Sequence, residues 1–177
     1  VQTCALPICD FTMTINGVSA SGGNSFAGAE SPGVTKTLTT LGSYNVTESS
    51  LPGYEQTSAS DDCSGTIALG ESKTCTIVND DIGAKLIVIK KVVNDNGGNA
   101  ASGDFTMTVD DAGSNPPSFA GADTPGTEVA VDPGAYSVSE SGPAGYQGSY
   151  SADCSGTIAL GETKTCTVTN DDQPGTL

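Results

Sequence analysis

The sequence repeats itself at an interval of about 91 residues, and this repeat limits what the chain can fold into. Residues 63–71 (CSGTIALGE) recur without change at 154–162, and residues 10–14 (DFTMT) recur without change at 104–108. A unit of this length is a small domain rather than one turn of a solenoid. The sequence therefore predicts tandem domains of one fold.

Short segments of alternating polarity predict that this fold is all-β. Around Tyr136 and Val138, apolar and polar residues alternate as in a half-buried strand, and turn sequences such as Asp132-Pro133-Gly134 separate the segments. No helical period is present. The pattern favours tandem seven-stranded Ig-like β-sandwiches, with the last two strands joined as a hairpin across 160–163. The strands predicted in the second copy are 86–93, 104–109, 128–131, 135–140, 146–152, 156–160 and 164–170.

The repeat also sets the expected domain boundaries. The first copy covers 10–81 and lacks a counterpart of the opening strand, whereas the second, complete copy covers 86–172. Residues 82–85 are expected to be a linker, and residues 173–177 a second linker and the start of a third copy.

The first nine residues form a segment of their own. Residues 1–8 (VQTCALPI) match the translation of a sequencing adapter, so we interpret 1–9, including Cys4 and Cys9, as non-native. An authentic N-terminal segment is the alternative.

The charge balance excludes several classes of partner. The chain has 21 acidic residues against six lysines, with no arginine or histidine, and a net charge of −15. Nucleic acids and anionic membranes are bound by clustered cations, so neither is an expected partner. Without histidine or a nucleophile motif, we predict no enzyme and no cofactor. No apolar run is long enough to insert into a membrane.

Residues 94–99 (NDNGGN) are rich in oxygen donors. Their spacing does not match an EF-hand, so we interpret them as a polar turn and predict no metal site; calcium is the alternative.

Four cysteines form two pairs with identical spacing. Cys63 and Cys75 lie twelve residues apart, as do Cys154 and Cys166. Each copy offers two thiols and no histidine, whereas structural zinc wants four ligands, so disulfides across the predicted hairpin are favoured. Disulfides indicate an oxidising compartment, and each would contribute about 3 kcal/mol. Free buried thiols are the alternative.

Strand alternation predicts that three polar side chains face the core. Glu140 shares a strand face with Tyr136, because side chains alternate with period two. The same argument puts Asn170 on the inward face of the last strand and Lys90 on that of the first. Lys91 remains an alternative to Lys90, because the opening strand is apolar on both faces.

The segments LIVIK, YSVSESGPAGY and CTVTN, which begin at Leu86, Tyr136 and Cys166, resemble the prealbumin-like repeats of SpaA/CnaB type. Such repeats occur in Gram-positive pilins and surface adhesins. In that family a lysine of the first strand bonds to an asparagine of the last, assisted by a glutamate.

Carried over by motif, the resemblance implies an isopeptide bond between Lys90 and Asn170, with Glu140 as the assisting carboxyl group. Burial disfavours charge, so the lysine can lose its proton and attack. Glu48 and Asn79 are the counterparts in the first copy, which lacks the lysine strand.

The resemblance implies a structural repeat, a stalk or spacer of a cell-surface or secreted pilin or adhesin, with covalent cross-links inside each domain. Its partners would be neighbouring repeats of the same chain, and its only chemistry an autocatalytic isopeptide reaction. The alternative is an adhesive module whose loops bind a host, extracellular-matrix or carbohydrate ligand. Both place the protein outside the cell.

Overall fold

The computed structural model describes residues 7–111 and 113–175, and the chain divides into two compact units, Val1–Asp81 and Ile82–Leu177. Both units are all-β, as the sequence predicts. Among the described residues, the helical segments are short 3-10 turns at Pro7–Asp10, Asp61–Cys63, Ser102–Asp104 and Ala152–Cys154. None of these helices is long and apolar enough to cross a lipid bilayer.

The first unit contains two sheets of unequal size. Its strands are β1 (Thr12–Asn16), β2 (Ser25–Ala27), β3 (Gly42–Glu48), β4 (Tyr54–Ala59), β5 (Ser64–Ile67) and β6 (Ile77–Asp81). One sheet has the order β2-β1-β3-β5, and the other consists of β4 and β6. A small core on the larger sheet is built on Ile15, Val18, Tyr44 and Ile67.

The second unit is a sandwich of two four-stranded sheets. Its strands are β7 (Ala84–Val93), β8 (Thr106–Asp110), β9 (Ser118–Ala120), β10 (Thr127–Val131), β11 (Gly134–Ser141), β12 (Tyr146–Tyr150), β13 (Ser155–Ile158) and β14 (Thr163–Asp172). The sheets have the orders β10-β7-β14-β12 and β13-β11-β8-β9. Neighbouring strands run antiparallel except for β7 and β14, which pair in parallel over nine residues.

Alternate residues of the two facing sheets fill the core of the second unit. The first and last strands contribute much of it, because both are central in their sheet and present one face inward. Their buried core residues are Ala84, Leu86 and Val88 from β7, and Cys166 and Val168 from β14.

Two details of the predicted second copy are wrong. The described structure has eight strands there rather than seven, because Ser118–Ala120, which lies outside the predicted strands, pairs with Thr106–Thr108 at the sheet edge. The predicted linker 82–85 overlaps β7, which begins at Ala84. Ala84 pairs with Val131 and is almost completely buried, so the strand starts where the core starts.

The predicted hairpin at 160–163 is also wrong. Strand β13 pairs with β11 in one sheet, whereas β14 lies between β7 and β12 in the other. Residues 159–162 therefore carry the chain from sheet to sheet. Local spacing cannot distinguish these cases, because a hairpin and a short inter-sheet connection need the same tight turn.

The smaller sheet of the first unit ends at an unpaired strand edge. In residues 7–81, β6 pairs only with β4, and no strand occupies the places that β7 and β10 take in the second unit. Cys75 and Ile77 are accordingly only half-buried, whereas their counterparts Cys166 and Val168 have no exposed surface. Within residues 7–81, β6 is therefore less well covered than β14 is in the second unit.

Residues 1–6 lie outside the described residues, so the interpretation of 1–9 as non-native remains a prediction. The 3-10 turn Pro7–Asp10 corresponds to Ser102–Asp104 in the second unit, and Cys9 is disulfide-bonded.

Candidate functional site

The side chain of Lys90 points into the core of the second unit and has no exposed surface. It lies in β7, between β10 and β14, on the same inward face as Leu86 and Val88. Lys91, the alternative lysine, is exposed. A Cβ at Gly121 would lie 2.7 Å from Lys90 Cγ, so the aliphatic stem of the lysine fills space that this glycine leaves open.

Four groups surround the buried amine. Lys90 Nζ donates hydrogen bonds to Asn170 Oδ1 at 2.5 Å and to the Lys91 carbonyl oxygen at 3.0 Å. Glu140 Oε2 lies 3.4 Å away, and the Phe105 ring centroid 4.1 Å away. Loss of water around the amine lowers the pKa of Lys90, while the Glu140 charge opposes that shift.

Glu140 lies in β11, in the opposite sheet, with its side chain 9% exposed. Its Oε2 is buried and makes no hydrogen bond to any described residue. The 3.4 Å separation from Lys90 Nζ is an ion-pair distance, but the groups are not aligned for a hydrogen bond. A buried oxygen that accepts no hydrogen bond is unusual, because it has lost its contact with water without compensation. Glu140 Oε2 is therefore free to accept a hydrogen bond or a proton from another group in the site.

Gly148 of β12 makes room for this carboxylate. It pairs with Asn170 across the sheet, and a Cβ there would lie 2.7 Å from Glu140 Oε1. The sequence analysis missed this residue, although a glycine inside a strand is a recognised sign of a close approach.

Asn170 lies in β14 next to Lys90 and is 4% exposed. In the parallel register, Lys90 is opposite Val168 and Asn170 is opposite Val92, so the two residues are diagonal neighbours. The structure thus brings Lys90, Asn170 and Glu140 together. A buried amine, a carboxamide and a carboxyl group close together are the components of an amide-exchange reaction. Unreacted, they form a buried ion pair between Lys90 and Glu140, with the amine also hydrogen-bonded to Asn170.

In the first unit Asn79 and Glu48, the counterparts of Asn170 and Glu140, also lie in contact. Asn79 Nδ2 donates a hydrogen bond to Glu48 Oε2 at 3.0 Å, with no lysine among the described residues between them.

Disulfides join Cys63 to Cys75 and Cys154 to Cys166, with S–S distances of 2.04 and 2.07 Å. The predicted pairing is confirmed, but the bonds do not cross a hairpin. In the second unit, Cys154 ends the 3-10 turn that leads into β13, whereas Cys166 lies in β14 of the facing sheet. The bond therefore connects the two layers of the sandwich, and both cysteines are buried.

The polar loop 94–99 encloses the carboxylate of Asp172. The almost completely buried Asp172 accepts hydrogen bonds from the backbone N–H groups of Asp95, Asn96 and Gly98. Burial acts to raise the pKa of Asp172, but these hydrogen bonds together lower it. Asp95 and Asp171 lie near by, yet the Asp172 oxygens already have donors. We therefore describe the loop as an anchor for β14.

A two-layer sandwich with a central parallel pair of first and last strands defines the class of this protein. The sequence model of the prealbumin-like fold domain matches residues 3–77 and again 81–173, so the chain belongs to the prealbumin-like fold domain family. This confirms the family that the sequence motifs resemble.

A comparison with solved structures gave two similar proteins at low sequence identity. The major pilin protein T3.2 of Streptococcus pyogenes serotype GAS13637 is 12% identical, with a TM-score of 0.38 over 93% of this chain and 90% of the pilin. The major pilin protein T-13 of Streptococcus pyogenes serotype GAS131465 is 14% identical, with a TM-score of 0.32 over 92% and 89%. A comparison with curated protein sequences gave no match.

Proposed function

We propose that this chain is a structural part of an extracellular surface protein, a stalk or spacer whose second unit is closed by an isopeptide bond between Lys90 and Asn170. The observation that carries the proposal is the fully buried Lys90 amine in contact with Asn170 Oδ1 and Glu140. Family membership supports it, as do the disulfides, which form outside the reducing cytosol.

The reaction exchanges one amide for another. Transfer of a proton from Lys90 to Glu140 gives a neutral amine and a neutral carboxylic acid, the state that a low-dielectric core favours over separate charges. The amine attacks Cγ of Asn170 while the acid donates a hydrogen bond to Oδ1. The Glu140 carboxyl group gives its proton to Nδ2 and takes up the proton of the attacking nitrogen, so that collapse of the tetrahedral intermediate breaks the Cγ–Nδ2 bond and releases ammonia. No oxidant, reductant or further reactant is needed.

The site favours attack because its parts are already in place. Lys90 and Asn170 lie on adjacent central strands, and their backbones are fixed by a nine-residue ladder. Such positioning removes much of the entropic cost of bringing two reactants together. The aromatic face of Phe105 beside the amine excludes water without supplying a competing acceptor.

The bond would stabilise the unit by closing a long loop. Lys90 and Asn170 are 80 residues apart in sequence, and a cross-link of that span contributes about 4.5 kcal/mol in the chain-entropy model. The isopeptide bond would join two strands of one sheet, and the disulfide joins Cys166 of that sheet to Cys154, which leads into the other sheet. A small domain would thus be cross-linked both within and between its sheets. This suits a spacer, whose task is to stay folded. The net charge of −15 would keep neighbouring units soluble and mutually repelling.

The intact mass of the oxidised chain tests the proposal. We expect a mass lower than that of the sequence by one ammonia, in addition to the hydrogens lost at the disulfides. The mass of Lys90→Ala should show no loss of ammonia. The mass of Lys91→Ala, a control at the neighbouring exposed lysine, should be lower by one ammonia, as in the parent chain. Retention of the ammonia in the folded parent chain would contradict the isopeptide bond. Specific, saturable ligand binding by a single unit would contradict a pure spacer role.

A further inference from the structure

The loop that follows β7 contains an asparagine directly before a glycine, Asn96-Gly97. In such a pair the backbone nitrogen of the glycine can attack the side-chain carboxamide of the asparagine, because the two groups are held close together within one short stretch of chain. Glycine has no Cβ to hinder the attack. Both residues are exposed, so water has access to them. The loop therefore holds the components of a spontaneous reaction.

The Asp172 carboxylate holds the backbone on both sides of Gly97 but leaves the Gly97 nitrogen free. It accepts hydrogen bonds from the N–H groups of Asn96 at 3.0 Å and of Gly98 at 2.5 Å. The Gly97 N–H itself donates no hydrogen bond to any residue in 7–111 or 113–175. The nitrogen that has to lose its proton and attack is thus the one that the anchor of β14 does not engage.

The side-chain amide of Asn96 is held between two acidic residues. Its Nδ2 donates one hydrogen bond to Asp95 Oδ1 and another, of 3.0 Å, to the Asp172 carbonyl oxygen. Nδ2 is the nitrogen that departs as ammonia when the carboxamide is attacked. A carboxyl group at hydrogen-bond distance from it can carry the proton that this departure requires.

A second asparagine–glycine pair, Asn16-Gly17, lies in a different environment. Asn16 ends β1 and pairs with Asn45 of β3, and its Nδ2 donates a hydrogen bond to Thr47 Oγ1 at 3.2 Å. Gly17 lies so close to β3 that a Cβ there would be 2.3 Å from the Ser43 carbonyl oxygen. Strand pairing fixes this backbone and this side chain, so the pair serves as an internal control.

We propose that Asn96 is a site of spontaneous deamidation, at which water converts the asparagine to aspartate or isoaspartate and so loosens the anchor of β14. This modification goes beyond the proposed function and does not depend on the isopeptide bond.

The reaction needs water and no other reactant. The Gly97 nitrogen gives up its proton and bonds to Cγ of Asn96, the Cγ–Nδ2 bond breaks, and Nδ2 takes up a proton and leaves as ammonia. A cyclic succinimide remains. Water then adds to one of its two carbonyl carbons, and the bond from that carbon to the ring nitrogen breaks. Opening at Cγ gives aspartate, and opening at the main-chain carbonyl carbon gives isoaspartate.

Either product removes support from Asp172. The Nδ2 donor to the Asp172 carbonyl oxygen is lost, and a carboxylate takes its place beside the carboxylates of Asp95 and Asp172, where like charges repel. Isoaspartate also lengthens the main chain by one carbon between the Asp95 and Gly98 N–H groups that bind the carboxylate. Because Asp172 is almost completely buried, weaker hydrogen bonding there is costly. The end of β14 should therefore open more often.

Incubation of the oxidised full chain in mildly alkaline water labelled with heavy oxygen tests the inference. We expect the peptide that contains Asn96 to become about 3 Da heavier, because labelled OH replaces NH2. The peptide that contains Asn16 should react more slowly in the same sample. Peptide mapping separates this reaction from isopeptide formation, which lowers the mass and involves other residues.

Three variants locate the reaction and its effect. Asn96→Gln keeps an amide but needs a larger ring, so it should remain unlabelled at residue 96. Asn16→Gln should become labelled there as the parent chain does. Asn96→Asp carries the product charge from the start, so the amides at the end of β14 should exchange hydrogen faster than in the fresh parent chain.

The incubated parent chain should show the same faster exchange at the end of β14, and incubated Asn96→Gln should not. Three results would overturn the inference: no label at Asn96 in the folded parent chain, equal labelling of Asn16 and Asn96, or unchanged exchange at the end of β14 after residue 96 has reacted.

Discussion

Asn79 donates a hydrogen bond directly to Glu48 at 3.0 Å, across the two sheets of the first unit. In the second unit the equivalent residues, Asn170 and Glu140, both contact the Lys90 amine instead. In the second unit three polar groups therefore interact where the first unit has two. The comparison within one chain shows what β7 adds to the second unit: a buried amine and a strand that pairs with β14.

Glu140→Gln should slow formation of the isopeptide bond. A glutamine cannot accept the lysine proton or donate an acidic proton to Asn170 Oδ1, and loss of a positioned acid–base group typically costs about 10²- to 10⁴-fold in rate. Freshly purified protein should contain unreacted chains, whose intact mass shows no loss of ammonia. Glu128→Gln is the matched control, because Glu128 forms an exposed ion pair with Lys85. Equal reaction in both variants would contradict a role for Glu140.

The unreacted lysine should make stability depend on pH. In Asn170→Ala, Lys90 stays a free amine, and its burial lowers the pKa of Lys90 below the usual 10.5. Between that lowered pKa and 10.5 the unfolded chain binds a proton that the folded chain releases. The free energy of unfolding should therefore rise with pH in this window.

Urea unfolding of Asn170→Ala between about pH 7 and pH 10 measures this rise. The double variant Lys90→Met/Asn170→Ala is the control. The raised pKa values of Tyr136 and Tyr150 affect both proteins equally. Identical pH profiles for the two would show that burial does not perturb Lys90.

Gly148→Ala should affect the reaction more than the fold. The new Cβ would lie 2.7 Å from Glu140 Oε1, the mobile end of a side chain, so the carboxylate can move aside at a cost of about 1 kcal/mol or less. A displaced carboxylate is no longer placed to serve Lys90, and a larger unreacted fraction is expected in the intact mass. Gly175→Ala, with open space around its Cβ, should react normally. A strongly destabilised but fully reacted Gly148→Ala protein would contradict this assignment.

Removing the inter-sheet disulfide should destabilise the second unit. Cys154→Ala/Cys166→Ala deletes a bond that closes a short loop and is expected to cost about 3 kcal/mol. Faster hydrogen exchange along β14 reports the loss. The equivalent pair of changes at Cys63 and Cys75 in the first unit should leave β14 exchange unaffected. Unchanged protection after loss of the second-unit bond would show that other contacts already hold the two sheets together.

Alternation along strands was sufficient to place the inward side chains. Glu140 follows Tyr136 and Val138 on one face, and the structure puts all three toward the core. The pattern is reliable here because β11 has one polar and one apolar face, so a shift of one residue would expose its core residues.

Alternation could not choose between Lys90 and Lys91. Strand β7 is apolar on both faces, and Ile87 and Ile89 on the outer side are themselves half-buried. What decides is the three-dimensional packing: Lys90 faces Phe105 and Glu140 across the sandwich, whereas Lys91 faces outward. The hairpin predicted at 160–163 was wrong for a similar reason: the sheet that β14 joins is decided by strands that are distant in sequence. Gly148 and Asp172 were missed because their roles depend on such distant neighbours.

The parallel pairing of β7 and β14 determines how the second unit would respond to a pull on its ends. Tension enters at Ala84 and leaves at Asp172, at opposite ends of two strands that run side by side. Such a load acts as shear on the whole ladder at once, rather than opening it one hydrogen bond at a time. With Lys90 covalently joined to Asn170, the force would pass directly from one strand to the other. The polypeptide between these residues, with the disulfide and most of the core, would carry no tension.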